Sequence, residues 1–115
     1  MDTFIKVMKA LSDPNRVRIV KILQDRTLCV CEMQALLSLP QPTVSKHLKV
    51  LEDAGLVSNS KDGLWVNYSI ADGKDSPYAA SLLGQLKHWL SDKPEIKTLQ
   101  KKLLSIHREK LCKKD

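Results

Sequence analysis

The sequence predicts a mainly α-helical chain with one small β-hairpin, and three observations carry that prediction. Apolar residues recur at helical spacing through the first part of the chain and again from about residue 77. Between these regions Leu64, Val66, Tyr68 and Ile70 alternate strictly, which is the period of a strand. Aromatic residues are only 4% of the chain, so aliphatic side chains must do most of the packing between helices. With 43% hydrophobic and 28% charged residues the composition is globular, and 115 residues suit one domain spanning 1–115. No internal repeat or low-complexity linker divides it.

Asp2 to Leu11 forms a first predicted helix, and Phe4, Ile5, Val7, Met8 and Leu11 give it an apolar face broad enough to bury on two sides. Ser12-Asp13-Pro14 reads as a helix start, a capping side chain before a first-turn proline. The second helix runs from Pro14 to about Gln24 with Val17, Val20, Ile22 and Leu23 inward and Arg16, Arg18 and Lys21 outward. Leu28-Cys29-Val30-Cys31-Glu32-Met33 leads into a third helix ending near Ser38, with Cys29 or Cys31 at its N-terminus and Glu32 complementing the helix dipole.

Ser38 to Val57, SLPQPTVSKHLKVLEDAGLV, organises the rest. A proline in its first turn costs no helical hydrogen bond. Val44, Leu48 and Leu51 make one apolar stripe at i, i+4, i+7, and Gly55 is the expected left-handed helix stop. Gln41, Thr43, Ser45, Lys46 and Lys49 lie off the stripe, a small, donor-rich face suited to the major groove of DNA. Together with the third helix this is a helix-turn-helix. Two strands, Leu56 to Ser60 and Leu64 to Ile70, follow around a Lys61-Asp62-Gly63 turn, where Asp-Gly tolerates positive φ. A helix-turn-helix followed by a basic-tipped hairpin is a winged helix. Gln41, Thr43, Ser45 and Lys46 are therefore the candidates for base edges and nearby phosphates, with His47 at the border of the buried stripe and Lys61 at the wing tip.

After a loop from Asp72 to Pro77, Tyr78 to Leu90 and a last segment from Asp92-Lys93-Pro94 return to helical spacing. These helices carry more aliphatic surface than so small a domain can use. Dimerisation through the N- and C-terminal helices hides the excess and doubles the DNA contacts. The net charge of +6 favours polyanions, although eight of the 19 basic residues fall after Ser91. No apolar run is long enough to cross a bilayer and the amino end has no signal-peptide pattern, so a soluble cytoplasmic protein is expected. There is no glycine-rich phosphate loop and no nucleophile–base constellation beyond the thiols, which argues against an enzyme. Three cysteines, two of them separated by one residue, make a poor disulfide framework and suit thiolate chemistry in a reducing compartment.

ALSDPNRVRIVKIL (residues 10–23), LCVCEM (28–33), QPTVSKHLKVLEDAGLV (41–57) and DGLWVNYSI (62–70) occur in this order. Together they resemble the ArsR/SmtB family of metal-sensing repressors over about half of the chain. That resemblance implies a homodimeric winged helix-turn-helix that holds an operator when metal-free and releases it on binding metal. The Cys29-Val30-Cys31 run resembles the arsenic-repressor signature, whose third cysteine position is Gln34 here. The implied inducers are As(III) or Sb(III), soft species that prefer thiolates, with no permanent cofactor. Cys29 and Cys31 are the implied ligands, and Cys112 or a small-molecule thiol is a candidate third donor. A helix N-terminus lowers a thiol pKa, which would raise the reactive fraction. Residues at i and i+2 do not share a helix face, so gripping one ion must distort the start of this helix and the helix-turn-helix with it. Cadmium or lead, and reversible thiol oxidation, are the alternative signals. His88 and His107 lack an aspartate at matching spacing, so a zinc site on the last helices is not expected.

Overall fold

The computed structural model describes residues 1–106, and they form six α-helices and three strands. Helix α1 (Asp2–Ala10) leads through a short turn to α2 (Pro14–Asp25). Strand β1 (Leu28–Cys29) runs directly into α3 (Val30–Leu37), and a tight turn passes to α4 (Gln41–Asp53). Strands β2 (Val57–Asp62) and β3 (Trp65–Ile70) follow, then α5 (Pro77–Leu86) and α6 (Pro94–Leu103). The antiparallel sheet has the order β1-β3-β2.

Local chemistry places each boundary. The Asp13 carboxylate accepts the amides of Asn15 and Arg16 at 2.8 and 3.2 Å, which caps α2 ahead of Pro14. Ser38 adopts a left-handed conformation (φ 55°) that ends α3. Gly55, at φ 77°, closes α4: its amide bonds Glu52 O at 2.9 Å and the Leu56 amide bonds Leu51 O at 3.0 Å, the paired bonds of a Schellman stop. Ser76 caps α5 through the Ala79 amide at 3.1 Å.

The core gathers Val7 and Ala10 of α1, Ile19, Val20, Ile22 and Leu23 of α2, Met33 and Leu36 of α3, and Val44, Leu48 and Leu51 of α4. Leu28, Leu56 and Val57, Leu83 and Leu86 of α5, and Ile96, Leu99 and Leu103 of α6 join it. The α4 stripe is fully buried, as its spacing predicts. Among the described residues no helix is long and apolar enough to cross a membrane.

Four features depart from the expected pattern. The sheet has a third strand, β1, too short for any alternation to reveal; it pairs Leu28 with Tyr68 and Cys29 with Asn67. The hairpin turns at Gly63-Leu64, because Asp62 pairs with Trp65 and Lys61 with Val66 inside the ladder. Lys21 does not point outward but is 3% exposed. Its ammonium donates to Leu86 O at 2.6 Å, Trp89 O at 2.9 Å and Ser91 Oγ at 2.9 Å, an arrangement that lets a buried charge satisfy carbonyls freed at the end of α5. Burial pushes its pKa down, against the nearby Asp25 carboxylate. Accordingly α5 stops at Leu86 rather than Leu90, and Leu90 sits at φ 67° in the turn to α6.

Candidate DNA-reading surface and thiol site

Helix α4 presents its outer face beside α3. Gln41 and Lys46 are exposed, and Thr43 and Ser45 are half-buried at the flanks of the apolar stripe. The amides of Thr43 and Val44 both bond Pro40 O at 3.1 Å, so no side chain caps this helix start. His47 is half-buried, with Nδ1 3.4 Å from the Arg16 guanidinium. That guanidinium also donates from Nε to Ala10 O at 2.7 Å and from Nη2 to Lys9 O at 3.1 Å, which occupies Arg16 in closing the end of α1. Lys61 is exposed on β2, one pair back from the hairpin tip, and the tip itself carries Leu64 at 75% exposure. Asn59 Nδ2 donates to Glu52 Oε2 at 2.6 Å and ties the wing to α4.

Cys29 holds three positions at once: last residue of β1, N-cap of α3, and cross-strand neighbour of Asn67 in the wing strand. It is 3% exposed and is the free thiol among the described residues. Its amide donates to Glu32 Oε1 at 3.0 Å while the Glu32 amide reaches back to the sulfur, a reciprocal capping box. Burial, the larger effect, raises the Cys29 thiol above its ordinary range. The Glu32 amide pulls it down, as expected for a helix start, but the Glu32 carboxylate adds to the rise. The expected activation of the thiol by the helix end is thus overturned by desolvation. Cys31 is half-buried in the first turn of α3 and is disulfide-bonded.

These elements meet in a groove of about 420 Å³ lined by Cys29, Val30, Cys31 and Gln34 from the α3 side, Gln41 from α4, and Leu64, Trp65 and Val66 from the wing. Gln34, the residue at the third signature position, therefore faces the same space as the two sulfurs. Among the described residues no three His, Cys, Asp or Glu side chains are gathered to hold a metal ion. Cys112 and His107 lie outside the described residues; His88 is exposed. Sequence reasoning missed the Glu32 cap as a support for the thiol, although Glu three residues after a cap position is a known signal. It also missed Arg26, which joins nearby Glu32 to carbonyls 77 and 80 residues further along the chain.

Residues 13–59 match the model of a family of bacterial regulatory proteins, the arsR family. The chain is 41% identical over 70 residues to the uncharacterized HTH-type transcriptional regulator MJ1325 of Methanocaldococcus jannaschii, a match over 60% of this chain and 79% of that protein. It is 35% identical over 89 residues to the arsenic resistance transcriptional regulator ArsR1 of Pseudomonas putida, over 74% of this chain and 70% of that one. Other relatives are named an arsenical resistance operon repressor in Escherichia coli and a cadmium resistance regulator homolog in Staphylococcus aureus; the chain spans 58% and 56% of their lengths. Among solved structures, HlyU from Vibrio cholerae matches with a TM-score of 0.63 at 28% identity, over 74% of this chain and 88% of that one.

Proposed function

The chain belongs to the ArsR family of winged helix-turn-helix transcriptional repressors, and from that premise we propose that As(III) or Sb(III) at Cys29 and Cys31 is the signal that takes it off its operator. The observation that carries this reading is the shared groove: the two cysteines, the first residue of α4 and the wing tip line one space. A ligand there pushes on both DNA-reading elements. Soft trivalent ions favour thiolates, and the groove offers two at most from the described residues, so the third donor comes from Cys112, a small-molecule thiol or water.

Binding requires the thiols to lose their protons, and Cys29 gives up its proton reluctantly because it is buried. The ion supplies that driving force. Drawing both sulfurs to one atom must then disturb the Cys29 cap and its pairing with Asn67, and so tilt α3 and β3 against α4. Gln41, Thr43, Ser45 and Lys46 read base edges and adjacent phosphates, His47 backs them through Arg16, and Lys61 meets the phosphate backbone from the wing.

The protein acts as a homodimer in this reading. Phe4, Ile5 and Met8 of α1 are 37–40% exposed, and Tyr78 of α5 packs edge-on against Phe4 with ring centroids 5.4 Å apart. Together they form one partly bare apolar face of the kind a second copy covers.

The test is an operator-release titration on reduced protein with arsenite, antimonite, cadmium, lead and zinc, repeated on Cys29→Ser and Cys31→Ser. Release by the trivalent ions in the wild type and its loss in both variants is expected. A double variant that lets go of DNA at the same arsenite concentration sinks the reading. One observation favours a second signal: Cys31 is disulfide-bonded. If oxidation is the signal, diamide releases the operator while arsenite does not.

A further inference from the structure

Helix α6 is bonded to both ends of α3. At the N-terminal end, Glu32 is 6% exposed and divides its carboxylate between two donors: Oε1 takes the Cys29 amide at 3.0 Å and Oε2 takes Arg26 Nη2 at 2.9 Å. The same guanidinium donates from Nη1 to Leu103 O at 3.2 Å and from Nη2 to Ile106 O at 3.0 Å, at the close of α6. At the C-terminal end of α3, Lys102 Nζ donates to Leu36 O at 3.3 Å, one of the carbonyls that helix geometry leaves without an internal donor.

We propose that Arg26, Glu32 and Lys102 are positioning residues that make α6 a clamp on α3, so that α6 must loosen before the Cys29 end of α3 can rearrange around a ligand. The inference rests on reading Cys29 as a sensing thiol, but its mechanical part stands on the contacts alone.

Two features separate a clamp from ordinary packing. Ile96, Leu99 and Leu103 already seat α6 on the core, so the helix does not need Arg26 to stay attached. Apolar contact is non-directional, whereas a planar guanidinium shared among one carboxylate and two carbonyls sets orientation. Arg26 is also partly exposed, with 37% of its side chain open to solvent, so water can replace its bonds when they break. A contact that water can replace is one a ligand can switch. The route runs in sequence through the Cys29 amide, the Glu32 carboxylate, the Arg26 guanidinium and the carbonyls of Leu103, the last residue of α6, and of Ile106 just past it.

The experiment uses the full-length reduced protein and two readouts. The first is the rate at which iodoacetamide alkylates Cys29, followed on the Cys29 peptide by mass spectrometry. Lys102→Met acts at the far end of α3, so it cannot alter Cys29 through local charge. It is expected to speed alkylation about fivefold, the lower end of ordinary coupling between sites. Arg26→Gln is expected to give a larger increase, and Arg26→Lys, which keeps the pair with Glu32 but cannot span all three acceptors, an intermediate one. Equal rates in wild type, Lys102→Met and Arg26→Gln overturn the clamp. A variant that fails to fold reveals itself by fast exchange throughout the chain, and Lys102→Met, on an exposed side chain, keeps the question decidable. The second readout is amide exchange on adding arsenite: residues 101–106 are expected to exchange faster along with the first turn of α3. Faster exchange in α3 with 101–106 unchanged overturns the proposal. If arsenite binds nowhere, the metalloid reading falls and the alkylation series still decides the clamp.

Discussion

The two helices of the helix-turn-helix are built alike on the inside and differently at their ends. Met33 and Leu36 of α3 are as deeply buried as Val44, Leu48 and Leu51 of α4. Yet α4 is stopped by backbone bonds alone, with Pro40 offering no side-chain cap at one end and Gly55 closing the other. Helix α3 is held by side chains: Glu32 at its start, with Arg26 behind it, and Lys102 at its finish. A helix held only by packing moves as a body with its neighbours. A helix held by a few polar contacts can be released by breaking them. Helix α4 has no side-chain cap and is tied to the wing through Glu52 and Asn59, whereas both ends of α3 rest on side-chain bonds that can be broken.

That contrast is open to measurement, beginning with the largest effect. Leu48→Ala and Met33→Ala should each destabilise by about 2–5 kcal/mol in urea unfolding, because both side chains are fully buried and leave cavities. A much smaller loss for one of them would mean the inner faces are not equivalent. Glu32→Ala should cost about 1–3 kcal/mol, since it leaves the buried Cys29 amide and part of Arg26 unpaired. No truncation of a polar side chain in the first or last turn of α4 should match it.

Asp13→Ala supplies the scale for an ordinary cap and should cost about 1 kcal/mol. Burial works to raise the Asp13 carboxyl, but the amides of Arg16 and Asn15, with the charges of His47 and Arg16, outweigh it and lower the pKa. The folded state therefore prefers the ionised form. Its contribution is complete above the ordinary carboxyl value of 3.8 and disappears as pH falls through the lower folded value. The variant should accordingly lose the part of the acid-unfolding slope that lies below pH 3.8, and an unchanged slope would reject the assignment. Smallest in stability is Lys46→Ala, within about 0.5 kcal/mol of wild type for an exposed residue. Its operator affinity should nonetheless fall, with the salt dependence reduced by about one ion. An unaltered salt slope would remove Lys46 from the DNA surface.

Much of this architecture is readable from residue order. The Val44, Leu48, Leu51 stripe, the Asp13-Pro14 start, the Gly55 stop and the alternation ending at Ile70 are local signals, and each marks an element that forms. Local signals fail where a partner is distant. Lys21 reads as a surface lysine because its acceptors lie 65 to 70 residues further along. Cys29 reads as an activated thiol at a helix start because the burial that reverses its pKa comes from the assembled core. Strand β1, two residues long, has no period to detect and exists because β3 lies beside it.

Sequence by itself determined the order of the helices and of the hairpin, the inward stripe of α4, and the placing of a Cys-x-Cys motif at the start of the helix before it. Those properties depend on spacing and on side-chain chemistry within a few turns of chain. Only the tertiary structure decided that Cys29 is a strand end, a helix cap and a core residue together, and that Arg26 joins its helix to α6. Burial and shared hydrogen bonds are properties of neighbours, and neighbours are chosen by folding.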